Sequence, residues 1–332
     1  QEKAWYTPDS LTAQGLANDP MVEPTSGGFD VNEAYVEFAL PLLADAPLAQ
    51  NVELSAAIRA FDYSTFGSDE TWKLGLTWKV NDELMLRSVV STAFRAPTVS
   101  ELYSGNSPSF EQVEYPGAQD QAEVTVGGNS SLTPEEADTL TAGIVYEPEW
   151  FEGFSMTLDY YDIEIENAIA TVDNQYIVDQ CLKTDANNGS ALCNSANVSI
   201  DSTGRIIFNN QLQNIGSEKT SGIDLNLSYS FEAAGLNWKA GLDTTYLDEY
   251  VVQVTGEPVD YAGVITSGSG GYADLKSNLT INVAGDNWDA QYQARYIAGM
   301  DSFACIGDED SCYAPTTPTV IYHDISGSYL IN

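Results

Sequence analysis

From Val31 onward, apolar and polar residues alternate with a period of two, the signature of a strand with two unlike faces. Ala34, Val36, Phe38 and Leu40 alternate with Glu33, Tyr35 and Glu37. Val52, Leu54, Ala56 and Ile58 oppose Glu53, Ser55, Ala57 and Arg59. Trp72, Leu74, Leu76, Trp78 and Val80 oppose Lys73, Gly75, Thr77 and Lys79, and Leu84, Leu86, Val90 and Phe94 oppose Arg87 and Ser91. The pattern returns around Leu140–Tyr146, Phe154–Tyr160, Ile223–Tyr229, Leu236–Leu242, Leu279–Val283 and Trp288–Tyr296, and less cleanly over Val320–Ile331. That predicts about twelve strands of roughly ten to twelve residues, the length a tilted strand needs to cross a bilayer. Strands of soluble sandwiches average nearer five or six.

The connections sort by length. Residues 41–50 read as a modest connection and 63–68 as a short one. Beyond them, tight or short connections (81–83, 148–153, 231–235, 285–287) alternate with long ones (95–137, 166–216, 248–272, 299–318). In an antiparallel meander every second connection lies on the same side. The long ones therefore share one rim, as in a barrel with short periplasmic turns and long extracellular loops; the short 63–68 connection is the exception. Residues 1–28, broken by Pro8, Pro20, Pro24 and Gly27-Gly28, read as a loop segment, and residues 29–332 as the barrel domain.

Composition sharpens this picture. The 332 residues hold 49 acidic and 12 basic side chains, a formal charge of −37. That balance excludes nucleic acid as a partner, because phosphates require Lys and Arg. It fits a well-solvated surface, or a mouth that attracts Ca²⁺ or a positively charged ligand. Acid concentrates in the long connections: Glu101, Glu111, Glu114, Asp120, Glu123, Glu135 and Glu136 in one, Asp301, Asp308, Glu309 and Asp310 in another. The basic residues there are Arg95, Lys183 and Arg205. No apolar run approaches the roughly 20 residues of a membrane helix. Trp72, Trp78, Trp238 and Trp288 stand near strand ends, where aromatic girdles meet headgroups.

The four cysteines form two local pairs, Cys181 with Cys193 and Cys305 with Cys312, in polar loops. We expect disulfides and hence an oxidising compartment. Zinc competes as a reading, but neither pair has CxxC spacing and the single histidine, His323, lies elsewhere.

No catalytic constellation stands out: the chain has no GxSxG, P-loop or HExxH pattern. We expect no enzyme activity and no cofactor, with Asp308, Glu309 and Asp310 as weak candidates for Ca²⁺. Loop aromatics that could stack on a ligand ring are Tyr103, Phe110, Tyr115, Tyr176, Tyr250, Tyr261, Phe303 and Tyr313. Arg59, Arg87, Lys239 and Arg295, on the polar faces, are expected to pair with Glu53, Asp159, Asp224 and Asp289, or to contact a plug.

Four stretches, in this order, carry a family likeness: FRAPTVSELY (Phe94–Tyr103), SLTPEEADTLTAGIVYEP (Ser131–Pro148), LDYYDIEIENAI (Leu158–Ile169) and NIGSEKTSGIDLNLSYSF (Asn214–Phe231). With them the chain resembles the second half of a TonB-dependent outer-membrane receptor. Phe94, Arg95, Ala96 and Pro97 form the motif at which a strand leaves the membrane. The resemblance implies a barrel of about 22 strands around an N-terminal plug. It implies capture of a scarce ligand, a ferric siderophore, cobalamin or a glycan, and import powered by TonB acting through the plug. Outer-membrane lipid and lipopolysaccharide would surround the barrel. The chain departs from the family pattern in lacking a recognisable plug and a TonB box. About twelve strands leave an open edge, which lipid forbids, so we expect an internal fragment with roughly nine or ten strands before it and about two after. The competing readings are a passive porin and a surface or soluble β-domain for adhesion.

Overall fold

The alternation translates into one antiparallel sheet that follows chain order without a crossover. A computed structural model describes residues 1–118, 121–183, 190–266, 270–306 and 312–331. Among them, eleven long strands neighbour one another in sequence. They are β1 (Val31–Ala46), β2 (Ala49–Tyr63), β3 (Gly67–Lys79), β4 (Leu84–Arg95), β5 (Glu135–Tyr146) and β6 (Phe154–Ala170). β7 (Gln213–Ala233), β8 (Leu236–Gln253), β9 (Leu275–Ala284), β10 (Trp288–Ile297) and β11 (Val320–Tyr329) complete the series. A short strand, Val259–Asp260, adds to β8.

Cross-strand register keeps like with like. Val36 faces Ile58, Ile58 faces Trp72, Leu86 faces Ile144, and Leu227 faces Leu242, all on one side. Arg87, Gly143, Asp159 and Asp224 line up on the other. Leu40, Leu74, Leu140, Ile223 and Ile325 are exposed on the apolar side, which in water would be a contiguous apolar patch far beyond what a soluble protein tolerates. Aromatic rows bound this belt. At one edge Trp150, Phe151, Tyr229, Phe231 and Trp238 form a continuous run, with successive ring centroids 4.6 to 6.1 Å apart. The other edge carries Trp72, Tyr160, Tyr246 and Tyr296. Trp238 and Tyr246 lie eight residues apart on β8, roughly 26 Å of strand, which a tilt of about 40° reduces to about 20 Å, close to a bilayer's apolar band.

Two expectations need correction. The 41–50 stretch is not a connection: β1 runs through Pro41 to Ala46 and turns at residues 47–48. Pro41 is tolerated because β1 is an edge strand among the described residues, and a bulge follows it between Pro41 and Leu43. Residues 1–28 are not irregular throughout: Glu2–Tyr6 pairs with Thr25–Phe29 as an antiparallel hairpin. That hairpin is tied to the loop after β4, where the Gly105 amide donates to Thr25 Oγ1 at 3.0 Å and the Glu23 amide to the Asn106 carbonyl at 2.9 Å.

The short 63–68 connection is a turn at residues 64–66, closed by Gly67 at a φ of 93°. Chain order puts it on the same rim as the long connections, and a cluster of Phe29, Phe61, Tyr63, Phe66 and Phe94 packs it.

Candidate ligand-binding mouth

The sheet itself has no core; the largest cluster of buried apolar side chains lies in the outer connections. Val113, Val124, Val172, Ile177, Ile206 and Phe208 pack together with both sulfurs of the Cys181–Cys193 disulfide. This lobe joins the connection after β4 (residues 96–134) to the connection after β6 (residues 171–212). Ile206–Asn209 pairs in parallel with Gln121–Val126, which pairs with Ser107–Gln112, and Ser199–Ile200 closes the small sheet. Asp201 shapes the turn between the last two strands by accepting hydrogen bonds from the amides of Thr203 and Arg205 and from the Thr203 hydroxyl. The hydroxyl of Thr203 first, and then these amides, hold its carboxyl below the usual aspartate range.

Arg95 fastens the lobe to the rim. Its guanidinium donates to both oxygens of Glu135 at 2.6 and 2.7 Å and to both oxygens of Glu101 at 3.0 Å. Glu101 also closes a capping box with Thr98 at the start of the Val99–Tyr103 helix, and Glu135 accepts the Ile169 amide from β6. Pro97 is fully buried. One residue of the FRAP stretch thus joins the end of β4, the following helix, the start of β5 and the end of β6. β4 ends at Arg95, inside the Phe94–Pro97 stretch.

β7 and β8 rise beyond the apolar belt, and their upper ends form the second part of the mouth. On the polar, lumen-facing side Tyr250 stands opposite Thr220, two residues from Glu218. The connections after β8 and β10 meet above it: Val264–Thr266 pairs with Gly270–Tyr272 and, in parallel, with Asp301–Ser302. This brings Tyr250, Tyr261, Tyr272 and Phe303 into one aromatic wall, with centroids 4.6 Å apart for Tyr250 and Tyr272 and 5.4 Å for Tyr261 and Phe303. Burial, then the neighbouring Glu218 and Tyr272, pushes the Tyr250 phenol up to about 12, so it stays protonated.

The loop aromatics singled out in the sequence separate into three groups. Tyr250, Tyr261 and Phe303 share the wall; their companion Tyr272 was not singled out, because only the meeting of two connections brings it there. Tyr103 packs against Gly27 of the N-terminal hairpin, where even a Cβ would overlap its ring, and Tyr115 packs on the lobe core with its hydroxyl toward the Leu182 carbonyl at 3.5 Å. Phe110 lies under the Arg205 guanidinium at 5.5 Å, and Tyr313 is bare. Both cysteine pairs are disulfides, Cys181–Cys193 and Cys305–Cys312. The Ca²⁺ candidates Asp308, Glu309 and Asp310 lie outside the described residues. Within the described residues no group of three or more His, Cys, Asp or Glu side chains is gathered as for a metal.

Below the mouth, charge pairs line the lumen face. Arg87 holds Asp159 as expected, but Arg59 binds Glu33 and Arg295 binds Asp324 in place of Glu53 and Asp289. Neighbouring strands place Glu33 and Asp324 diagonally across from those arginines, within reach of a long side chain. His323 sits on the opposite, lipid-facing side, its Nδ1 2.7 Å from the Tyr292 hydroxyl.

An antiparallel meander that is apolar outside and polar inside, edged by aromatic rows and carrying its large connections on one rim, is the wall of a transmembrane β-barrel. The family described as "TonB dependent receptor-like, beta-barrel" matches residues 3–332. The chain belongs to that family, and so to the β-barrel proteins of the Gram-negative outer membrane. Among curated proteins it is similar to a probable TonB-dependent siderophore receptor, PirA, of Acinetobacter baumannii, at 22% identity over 297 residues. That alignment covers 86% of this chain and 35% of the relative. The crystal structure of the A. baumannii PirA receptor superposes with a TM-score of 0.60 at 17% identity, over 97% of this chain and 42% of that one. A mutant of the ferric enterobactin receptor PfeA of Pseudomonas aeruginosa, solved with enterobactin, gives 0.63 at 16% identity, over 93% and 38%. The chain therefore spans well under half the length of these relatives, which are receptors rather than enzymes.

Proposed function

We propose that this chain is part of the wall and most of one side of the mouth of a TonB-dependent receptor, which captures a scarce nutrient outside the cell and releases it into the periplasm. The observation that carries this reading is the sorting of connections: turns of two to seven residues at one rim, and at the other the disulfide-bonded lobe and the aromatic wall facing the lumen. A fixed, folded rim suits selective capture, because a preorganised loop loses little entropy when it binds. The free edges of β1 and β11 would be satisfied in lipid by further strands of the same barrel. The work is binding and translocation without covalent chemistry. TonB would act through a plug inside the barrel, and lipopolysaccharide would contact the apolar belt.

The test is uptake by cells expressing the full-length protein, measured with a panel of radiolabelled ferric complexes. Uptake should stop when TonB is deleted or the proton-motive force is collapsed. Uptake that persists in both cases would show a passive pore and overturn the proposal.

A further inference from the structure

The charges of the mouth bear on which ligand it accepts. The four large outer connections (96–134, 171–212, 254–274 and 298–319) hold sixteen acidic residues and two basic ones, Lys183 and Arg205. Arg205 is already engaged, by Glu123 at 3.4 Å and by the face of Phe110. Arg95, at the rim, is saturated by Glu101 and Glu135. Lys219 is bound to Glu249 at 2.8 Å and lies on the outward face of β7. The lumen-facing aromatic wall has a carboxylate at its base, since Glu218 shares the lumen face of β7 with Thr220, the residue opposite Tyr250. Electron-rich ring faces beside a carboxylate favour a cation and repel an anion. The excess of acid around them concentrates cations at the mouth over a distance of about 8 Å at physiological salt.

We propose that the wall of Tyr250, Tyr261, Tyr272 and Phe303, with Glu218 at its base, selects a ligand carrying a protonated amine or other organic cation and disfavours polyanionic ligands. This rests on the uptake reading above and goes beyond it by assigning the ligand's charge. Tyrosine hydroxyls at the rim of the wall orient the ligand, while the ring faces and Glu218 hold the cationic end. On the neighbouring strand Lys276 stands opposite Thr245 on the lumen face and is without an ion pair among the described residues, so it is a group an anionic ligand could use just below the wall.

The experiment uses the purified full-length receptor in detergent with two probes of similar size. One is the ferric complex of a linear trihydroxamate with a free amine, a monocation; the other is the ferric complex of a tris-catecholate, a trianion. The monocation is expected to bind at least tenfold more tightly at low salt, with the gap narrowing as ionic strength rises from about 0.05 to 0.5 M. Tyr272→Ala and Glu218→Gln should each weaken the monocation several-fold while the barrel's resistance to SDS at room temperature is unchanged. Equal or tighter binding of the trianion, its loss on Lys276→Gln, or binding of neither probe overturns the proposal. TonB-dependent uptake of the trianion would overturn this inference and leave the uptake reading standing, whereas TonB-independent uptake of either probe would overturn the uptake reading.

Discussion

Arg87 and Asp159 meet on the lumen face although 72 residues separate them, with Arg87 Nε donating to Asp159 Oδ1 at 2.9 Å and Nη2 to Oδ2 at 2.6 Å. The pair spans β5 at Gly143, which stands in register with both residues. A Cβ on Gly143 would lie 1.9 Å from Asp159 Oδ1 and 3.1 Å from Arg87 Nε. The glycine is therefore the gap through which the two side chains reach each other. Gly143→Ala should break the pair and cost about 1–3 kcal/mol through overpacking. Asp159→Asn, which removes the charge and keeps the shape, should cost less, about 0.5–1 kcal/mol, because both partners face water. Urea unfolding of the full-length barrel in detergent, read by tryptophan fluorescence, ranks the two; equal effects would show that Gly143 is not the limiting contact.

Arg95 joins four elements through two carboxylates. Arg95→Ala should free the connection after β4 and lower stability by about 2–4 kcal/mol, because Glu135 is left largely buried without its cation. Arg95→Lys should recover only part of this, since an ammonium cannot serve two carboxylates in a fork geometry. Limited proteolysis on intact cells should cut residues 96–134 in both variants, faster in the alanine one.

The two faces of a strand should respond oppositely to charge. Leu242→Arg puts a cation in the apolar belt and should cost about 2–4 kcal/mol. Thr280→Arg, on the neighbouring strand but facing the lumen, should be nearly neutral. Folding efficiency into lipid vesicles measures both, and a reversal would mean that the lipid and lumen faces are interchanged.

The Cys181–Cys193 bridge closes a loop of 12 residues inside the lobe core. Replacing both cysteines by serine should destabilise the lobe by about 3 kcal/mol. Hydrogen exchange should then quicken across residues 171–212 and across Gln121–Val126, which pairs with them, while β5 to β8 stay protected. Faster exchange throughout the barrel would mean that the lobe does not fold as a separate unit.

Asp201 carries a pH prediction. Its carboxyl is held below its value in the unfolded chain, so its contribution to the lobe is complete above the unfolded pKa of about 3.9 and is lost as pH falls through the lower folded value. Exchange at Ile206–Asn209 should quicken below about pH 4 and do so less in Asp201→Asn, which keeps an acceptor. An identical acid response in the two proteins would remove Asp201 from the account.

Much of this fold can be read along the chain. The alternation around Val36, Leu74, Leu225 and Tyr292 gives both the strand identity and the face, because a bilayer demands an apolar exterior of every strand. The end of β4 at Arg95 is equally plain, since Pro97 cannot continue the ladder. Harder to see was the upper half of β7: Gln213 to Gly222 holds one large apolar side chain, Ile215, which packs against the lobe core, so period two carries no signal there. Pro41 hid the end of β1 for a different reason, its missing N–H being harmless on an edge strand.

What the sequence by itself determined is the barrel wall: strand number, facing, the side that bears the large connections, and the family. The wall follows from local spacing, which lipid on one side and water on the other impose residue by residue, and the family from the likeness of four ordered motifs. The mouth was decided by tertiary structure alone. The pairing of Ile206–Asn209 with Gln121–Val126, the four-way clamp of Arg95, and the meeting of Tyr250 with Phe303 all join segments far apart in the chain. Their register depends on which buried side chains fit together once the loops are closed, and no periodicity along the chain records that fit.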